Sequence, residues 1–214
     1  MRQTVAVIDY GMGNLHSVAK ALEHVAGGAR VCVTSHVSDI RQADRVVLPG
    51  VGAIGDCMAG LVERGLDAVV RELIGTVPLM GVCVGMQILT TFGEENQGVH
   101  ALGVFPGAIT RFPNDDVDGQ GHRLKIPHMG WNQVWQRAHP MWSDIADGAR
   151  FYFVHSYRLQ DTARSDVVGV CEYGGPFAAA IACPGVFAVQ FHPEKSQHAG
   201  LQLYANFLTW DGGC

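Results

Sequence analysis

Short apolar runs alternate with stretches of helical pattern through the first half of the chain, and this alternation limits the possible folds more than any other feature. The strand-like runs are Val5–Asp9, Arg30–Thr34, Arg45–Leu48 and Pro78–Val82. The helical stretches are Leu15–Val25, "DCMAGLVERG", "DAVVRELIG" and Val84–Thr91. Strands that are apolar throughout are typical of a sheet buried on both faces, and alternation with helices makes such strands parallel. We therefore predict an α/β fold with a parallel core flanked by helices.

The second half of the chain has a different order of secondary-structure patterns. After Gly103 the sequence reads as strands separated by turn residues, and "AGLQLYANFLTW" predicts a last helix. The strand patterns lie in "GVFPGAITRF", "LKIPHMGWNQVW", "RFYFVHSYRL", "DVVGVCEY", "FAAAIACP" and "VFAVQFHP". Strands joined in this way predict an antiparallel extension, which makes the whole an open mixed sheet. "PNDDVDGQGH", at 113–122, predicts an exposed loop, and with no linker or repeat we expect a single domain over residues 1–214.

The composition argues against several classes of partner. A formal charge of -5 and a pI near 6.0 do not favour nucleic acid or an acidic membrane surface. No run of about 18 apolar residues is present, so we expect no membrane-spanning helix. The six cysteines include no Cys-x-x-Cys pair, a pattern typical of neither a zinc site nor a disulfide scaffold. We therefore expect a reduced, cytoplasmic protein without a metal or cofactor.

"GVCVGMQ", at 81–87, places Cys83 between two glycines, after an apolar run and before a helical one. The spacing Gly-x-Cys-x-Gly is that of the nucleophile elbow, in which a tight strand-to-helix turn lifts a nucleophile above the sheet. The amides at a helix N-terminus would favour the thiolate form of Cys83. Taken alone, the heptapeptide is equally compatible with a cysteine that packs in the core.

"VQFHPEKS", at 189–196, offers a base and a group to orient it. His192 follows a strand, and Glu194 lies two positions on, where an extended backbone would point it to the same side. A cysteine nucleophile needs such a base, and a carboxylate can hold the imidazole in the required tautomer. "HPE" alone is more typical of a surface turn, but a cysteine elbow in the same chain favours a Cys83, His192 and Glu194 triad.

Attack on a carbonyl also requires donors for the oxyanion. The backbone amide of Val84, at the start of the predicted helix, is one candidate. The other is "PGVG" at 49–52, where the amides of Val51 and Gly52 follow a neighbouring strand. Both segments would lie at the carboxyl ends of parallel strands, where ligand sites of open α/β sheets gather.

Together these motifs resemble the class I, triad-type glutamine amidotransferases, and the resemblance runs from residue 4 to 209. "GVCVGMQ" and "FHPEKS" carry the resemblance to the superfamily. "VIDYGMGNLHSV", "LKIPHMGWNQV", "LPGVGAIGDCM" and "FYFVHSY" are similar to the glutaminase subunits of imidazole glycerol phosphate synthases, one of its subfamilies. The resemblance implies that Cys83 attacks the side-chain amide of glutamine, that His192 transfers the proton to the departing ammonia, and that Glu194 orients His192.

The resemblance also implies a binding site and a partner. The residues that it places around the substrate are Gln87, Glu95, His155, Ser156 and Tyr157, with Glu94 as the alternative to Glu95 for the α-ammonium group. The subfamily delivers ammonia to a (β/α)₈-barrel cyclase in histidine biosynthesis, so a heterodimer with that cyclase is implied. The residues expected to face the partner are Asn14, His128, Trp131 and Lys195. Core packing of Trp131 is the alternative.

Three other functions fit parts of the sequence. "DYGMGN" after the first strand is similar to a phosphate-binding glycine loop, but it lacks the third glycine of Gly-x-Gly-x-x-Gly, so a nucleotide-binding module is weakly indicated. A cysteine hydrolase, or a glutaminase serving another ammonia-using synthase, would share the triad. A metal hydrolase would need His192, Glu194 and His198 to converge on one ion.

Overall fold

The protein is described by a computed structural model that covers residues 2–113, 117 and 121–214. The strands are β1 (Thr4–Ile8), β2 (Arg30–Thr34), β3 (Arg45–Gly50), β4 (Leu79–Cys83), β5 (Phe92–Gly93), β6 (Val99–His100), β7 (Ala108–Arg111), β8 (His128–Gln133), β9 (Trp135–Gln136), β10 (Arg150–His155), β11 (Tyr157–Leu159), β12 (Val167–Glu172), β13 (Pro176–Cys183) and β14 (Val186–Val189). The α-helices are α1 (Leu15–Val25), α2 (Val37–Arg41), α3 (Ile54–Glu63), α4 (Leu66–Leu73), α5 (Val84–Gln87) and α6 (Gln197–Thr209). Short 3₁₀ turns occupy Glu95–Gln97, Pro140–Trp142 and Pro193–Lys195.

The main sheet has eight strands in the order β2-β1-β3-β4-β14-β13-β12-β9. The first five are parallel, and β13, β12 and β9 extend the sheet in antiparallel fashion. This arrangement confirms the predicted open mixed sheet. Since the chain passes from β1 outward to β2 and then across to β3, right-handed crossovers put α1 and α2 on opposite faces.

The strands between β4 and β12 only partly follow the prediction. β8 and β10 form a separate antiparallel pair, and β11, β7, β5 and β6 form a small four-stranded sheet. The strand patterns after Gly103 therefore exist, but several of them build smaller sheets instead of extending the main one. Of the predicted loop at 113–122, residues 114–116 and 118–120 lie outside the described residues.

Apolar side chains fill the space between the main sheet and its helices. β3, β4 and β14 are buried along their whole length, as their continuous apolar patterns predict. α1 packs against α6, and α2 and α3 pack against α4. Within the described residues, no helix is both long enough and apolar enough to cross a membrane.

Candidate active site

The site forms where three neighbouring parallel strands end. β3 leads into "PGVG", β4 ends at Cys83, and the chain beyond β14 leads to His192. Strands that are adjacent and parallel bring their carboxyl ends to the same edge of the sheet, which is where open α/β sheets bind ligands. Segments separated by more than one hundred residues in the chain therefore meet at one place.

Cys83 occupies a sharp turn between β4 and α5. Its backbone has φ 56° and ψ -113°, a conformation that residues other than glycine rarely adopt, and α5 begins at the next residue. A Cβ atom added to Gly85 would lie 1.9 Å from the carbonyl oxygen of Leu48, and one added to Gly81 would lie 2.9 Å from Leu89. A side chain is excluded at Gly85 and would be crowded at Gly81, so close packing around the elbow favours the Gly-x-Cys-x-Gly spacing.

His192 and Glu194 form a buried, hydrogen-bonded pair. The Nδ1 atom of His192 lies 2.8 Å from Oε1 of Glu194, and the side chains are 3% and 0% exposed. The sequence anticipated this contact, but the backbone that makes it is a 3₁₀ turn over Pro193–Lys195 and not an extended strand. Ser196 stabilises the turn, because its hydroxyl donates a hydrogen bond to the carbonyl of His192 at 2.6 Å.

The imidazole of His192 connects the carboxylate with the thiol. Glu194 occupies Nδ1. Among the described residues, Nε2 has no hydrogen-bond partner, and His192 and Cys83 line the same cavity. Burial lowers the pKa of His192, but the negative charges of Cys83 and Glu194 outweigh burial and raise that pKa to about 10. The raised pKa favours the protonated imidazolium of His192, as a base that accepts the thiol proton requires.

A cavity of about 350 Å³ opens above the elbow. It is lined by Val51, Gly52, Cys83, Val84, Gln87, Glu95, Pro127, Val154, His155, Ser156, Tyr157, His192 and Lys195. The sequence-predicted residues for the oxyanion and for the substrate thus surround one space. Among the described residues, no group of three His, Cys, Asp or Glu side chains is arranged to hold a metal ion, so His198 does not join His192 and Glu194 in a metal site.

The two consecutive glutamates in "FGEEN" point in different directions. Glu95 lines the cavity, and its Oε2 accepts the backbone N–H of Ile54 at the start of α3, 3.0 Å away. Glu94 does not line the cavity, and its carboxylate instead accepts the backbone N–H of Arg111. The geometry favours Glu95 as the anion available to a ligand in the cavity.

The loop "PGVG" is held against the elbow by two side chains. The hydroxyl of Tyr10 donates to the carbonyl of Pro49 at 2.6 Å, and Sγ of Cys57 donates to the carbonyl of Val51 at 3.4 Å. Gly52 lies at φ 84°, in the left-handed region that favours glycine. Val51 and Gly52 line the cavity together with Cys83 and Val84, so the two segments predicted to supply the oxyanion donors border the same space.

Comparison with known families agrees with this geometry. The family model of glutamine amidotransferase class-I matches residues 6–209, which is nearly the whole chain. The chain belongs to the class-I glutamine amidotransferases. Two solved structures support the fold alone: a glutamine amidotransferase (TM-score 0.69, 17% identity, 95% of this chain and 97% of that chain) and PurLQS from Thermotoga maritima (TM-score 0.70, 18% identity, 98% and 99%).

Curated relatives of this amidotransferase are much more similar in sequence. The imidazole glycerol phosphate synthase subunit HisH of Pseudomonas putida is 60% identical over 98% of this chain and 99% of that protein. The protein of Pseudomonas aeruginosa named subunit HisH 1 of the same synthase is 60% identical over 99% of both chains. The subfamily resemblance found in the sequence motifs therefore extends over almost the full length of the amidotransferase.

Two residues expected at the partner surface have partners inside the amidotransferase. His128 is 3% exposed, and its ring packs between aromatic side chains and lies 2.9 Å from the ring of His155, so its prediction as a partner contact is wrong in this structure. Its strand alternates sides, and His128 takes the inward position. Asn14 is half-buried, and its Nδ2 donates to Oε1 of Glu194 at 3.2 Å.

The other two residues expected at the partner surface are exposed beside the cavity. Trp131 is 42% exposed, which rules out core packing, and its ring meets that of Tyr152 edge to face with centroids 6.1 Å apart. The ammonium of Lys195 lies 5.7 Å from the centre of the same Tyr152 ring. Met129, 62% exposed on the same side of β8, adds to this apolar surface.

Sequence reasoning missed one buried side chain of the amidotransferase site. Gln190 is fully buried, and its Nε2 lies 3.9 Å from Sγ of Cys83. Its Oε1 accepts from Nε2 of Gln87 at 3.0 Å. The one available signal was a glutamine that follows an apolar strand and stands two residues before His192, where a core position would be expected to be apolar.

Proposed function

We propose that this chain is the glutaminase subunit of an imidazole glycerol phosphate synthase. It hydrolyses glutamine to glutamate and supplies the ammonia to a (β/α)₈-barrel cyclase that makes imidazole glycerol phosphate in histidine biosynthesis. The observation that carries the proposal is that Cys83 and His192 line one cavity while the buried carboxylate of Glu194 is hydrogen-bonded to Nδ1 of His192. Identity of 60% to relatives named as subunits of that synthase supports it over a glutaminase of another synthase.

The first half of the reaction forms a thioester. The Cys83 thiolate attacks the side-chain amide carbon of glutamine, and the carbonyl oxygen becomes an oxyanion. The His192 imidazolium then donates its Nε2 proton to the amide nitrogen, the C–N bond breaks, and ammonia leaves. Glu194 keeps the imidazole in the tautomer that presents Nε2 to the sulfur and stabilises its charged form.

The second half of the reaction returns the enzyme to its starting state. A water molecule gives its proton to Nε2 of the now neutral His192 and attacks the thioester carbon. The C–S bond breaks, glutamate is released, and the thiolate forms again beside the imidazolium. The raised pKa of His192 favours this charge-separated resting pair.

Backbone amides would hold the oxyanion in both halves. The amide of Val84 stands at the first residue of α5, next to the sulfur-bearing residue. The amides of Val51 and Gly52 would supply the second donor, because their loop borders the same cavity. Donors fixed in advance around developing charge are worth about a hundredfold to a thousandfold in rate each.

Polar groups on the cavity wall match the amino-acid end of glutamine. The carboxylate of Glu95 would bind the α-ammonium group, and the segment His155–Tyr157 would border the backbone end of the substrate. Gln87 would face the carboxamide, since its Nε2 is already engaged inside the protein and its Oε1 remains for the substrate. A zwitterion requires such fixed charges and donors, which an apolar slot lacks.

The partner would cover the exposed surface beside the cavity. Met129, Trp131 and Tyr152 combine apolar area with aromatic rings, a composition typical of interface centres, and Lys195 adds one cation beside them. Ammonia released under such a cover would not meet bulk water, where most of it would become ammonium. The proposal treats residues 1–214 as one amidotransferase domain without metal or cofactor, working in the cytoplasm, where its six free cysteines would stay reduced.

The proposal is tested by measuring glutamate release from glutamine with purified protein. Three samples are compared: the chain alone, the chain with the barrel cyclase, and the chain with the cyclase and its phosphorylated substrate. We expect little activity alone and a strong increase in the third sample, with formation of imidazole glycerol phosphate. Full activity without the cyclase, or activation by an unrelated ammonia-using synthase instead, would contradict the assignment.

A further inference from the structure

Gln190 is a buried polar side chain next to the nucleophile, and it is not among the residues that line the cavity. It follows β14 directly, its side chain is fully buried, and its backbone N–H donates to the carbonyl of Ala179 at 2.9 Å. Among the described residues, its side-chain amide has two hydrogen-bond neighbours, Gln87 on the oxygen side and Cys83 on the nitrogen side. Burying a polar side chain this deeply costs free energy unless both its oxygen and its nitrogen are hydrogen-bonded.

The orientation of this amide follows from a backbone carbonyl. The carbonyl of Tyr157 can only accept, so the atom of Gln87 that lies 3.4 Å from it is the nitrogen Nε2. The same nitrogen lies 3.0 Å from the side chain of Gln190, which must therefore present its oxygen there. The remaining end of Gln190 is the NH₂ group, and it points at Sγ of Cys83, 3.9 Å away.

The carbonyl of Tyr157 is itself held in place by buried histidines. Nδ1 of His155 donates to it at 2.8 Å, so Nε2 of His155 must accept from Nδ1 of His128, 2.9 Å away. Nε2 of His128 then accepts from Nδ2 of Asn132 at 3.3 Å. Burial lowers the pKa of both imidazoles, to about 4 for His128 and about 3 for His155, so both rings are neutral and each tautomer is defined.

We propose that Gln190 is a second polar partner of the nucleophile and donates an N–H hydrogen bond to the Cys83 thiolate. His192 lines the cavity together with Cys83 and exchanges a proton with the sulfur, whereas Gln190 only donates to it. The contact favours the thiolate in the resting enzyme and weakens when the sulfur loses its charge in the thioester. This inference rests on the proposed function, because it requires Cys83 to be the nucleophile.

The pH dependence of Cys83 alkylation by iodoacetamide in the full chain tests the proposal. Trypsin releases Cys83 in the peptide 72–111, which contains no other cysteine, so mass spectrometry reads this site alone. In a Gln190→Met variant we expect the midpoint of the alkylation profile to rise by about one pH unit, a roughly tenfold loss of reactivity near neutral pH. The matched control Gln42→Met changes an exposed glutamine at the end of α2 and should leave the midpoint unchanged.

A second variant keeps the test decisive if Gln190→Met does not fold. Gln190→Asn retains a polar amide but is one methylene too short to span from Gln87 to the sulfur, and it should raise the midpoint similarly. An unchanged midpoint in either folded variant overturns the role of Gln190.

The exposed Cys214, read in the peptide 196–214, is the internal reference. If wild-type Cys83 reacts with the same midpoint as Cys214, the proposed function itself fails; a lower wild-type midpoint that the variants do not move contradicts Gln190 alone.

Discussion

Asn14 and His192 bind the same carboxylate oxygen. Nδ2 of Asn14 lies 3.2 Å from Oε1 of Glu194, and Nδ1 of His192 lies 2.8 Å from that oxygen. The other oxygen of Glu194 has no partner among the described residues. The side-chain amide of Asn14, at the start of α1, therefore fixes the rotamer of the triad carboxylate, although the sequence indicated Asn14 as a partner contact.

Substitution of Asn14 is expected to weaken the triad without removing it. Asn14→Ala loses one charge-assisted hydrogen bond to Glu194, so glutamine turnover should fall about three- to tenfold while the KM for glutamine changes little. The assay uses saturating cyclase, which separates catalysis from complex formation. His16→Ala, an exposed change on the same helix, is the control. Equal losses in both variants would assign the effect to α1 and not to the carboxylate.

The adjacent glutamates allow a paired test of substrate binding. Glu95→Gln keeps an acceptor for the Ile54 amide but removes the charge that faces the cavity, so the KM for glutamine should rise at least tenfold. Glu94→Gln changes a carboxylate outside the cavity and should leave the KM within about twofold of wild type. Steady-state kinetics with glutamine measure both. A larger effect of Glu94→Gln would mean that the two roles are reversed.

The parallel half of the fold could be predicted because its strands are buried on both faces and their patterns are unambiguous. α2 escaped prediction, since the five residues Val37–Arg41 are too few to show a helical period. The helix after the elbow was predicted to reach Thr91 but ends at Gln87. The carbonyls of Ile88, Leu89 and Thr90 accept amides from the segment 102–105 instead of continuing the helix, a long-range competition that the local sequence does not reveal.

Within the site, side chains that supply chemistry could be predicted and those that orient them could not. Cys83, His192 and Glu194 lie in strong motifs. Cys83 and His192 line one cavity, and Glu194 is hydrogen-bonded to His192. Gln190 and Asn14 act through partners that lie more than one hundred residues away in the chain. Which atom of such an amide meets which neighbour depends on the packed structure, so the pattern of the sequence alone does not specify it.

The buried histidine pair predicts a dependence of stability on pH. The pKa of His128 is lowered by burial to about 4, below its ordinary value of 6.5, so the unfolded chain binds a proton that the folded chain does not. This histidine therefore disfavours folding as the pH falls from 6.5 toward 4 and has no such effect above 6.5. When the pH is lowered from 7.5 to 5.5, the free energy of unfolding of the wild type should fall by about 1 kcal/mol more than that of the His128→Asn variant.

Urea unfolding at the two pH values measures this difference. The variant His24→Asn, which changes an exposed histidine of α1, should follow wild type at both. Asparagine at position 128 can still donate to His155, so the comparison removes the titrating group and retains the contact. If His128→Asn shows the same pH dependence as wild type, His128 does not remain neutral in the folded protein.

The most direct test of the account compares two nitrogen sources in the complex of the chain with the barrel cyclase. Cys83→Ala should abolish the synthesis of imidazole glycerol phosphate from glutamine, with a loss of at least a thousandfold, because no thioester can form. With ammonium salts at alkaline pH the same complex should retain wild-type synthesis, and Cys214→Ala should behave as wild type with both sources. Glutamine-dependent synthesis that survives Cys83→Ala would contradict the claim that this sulfur is the nucleophile.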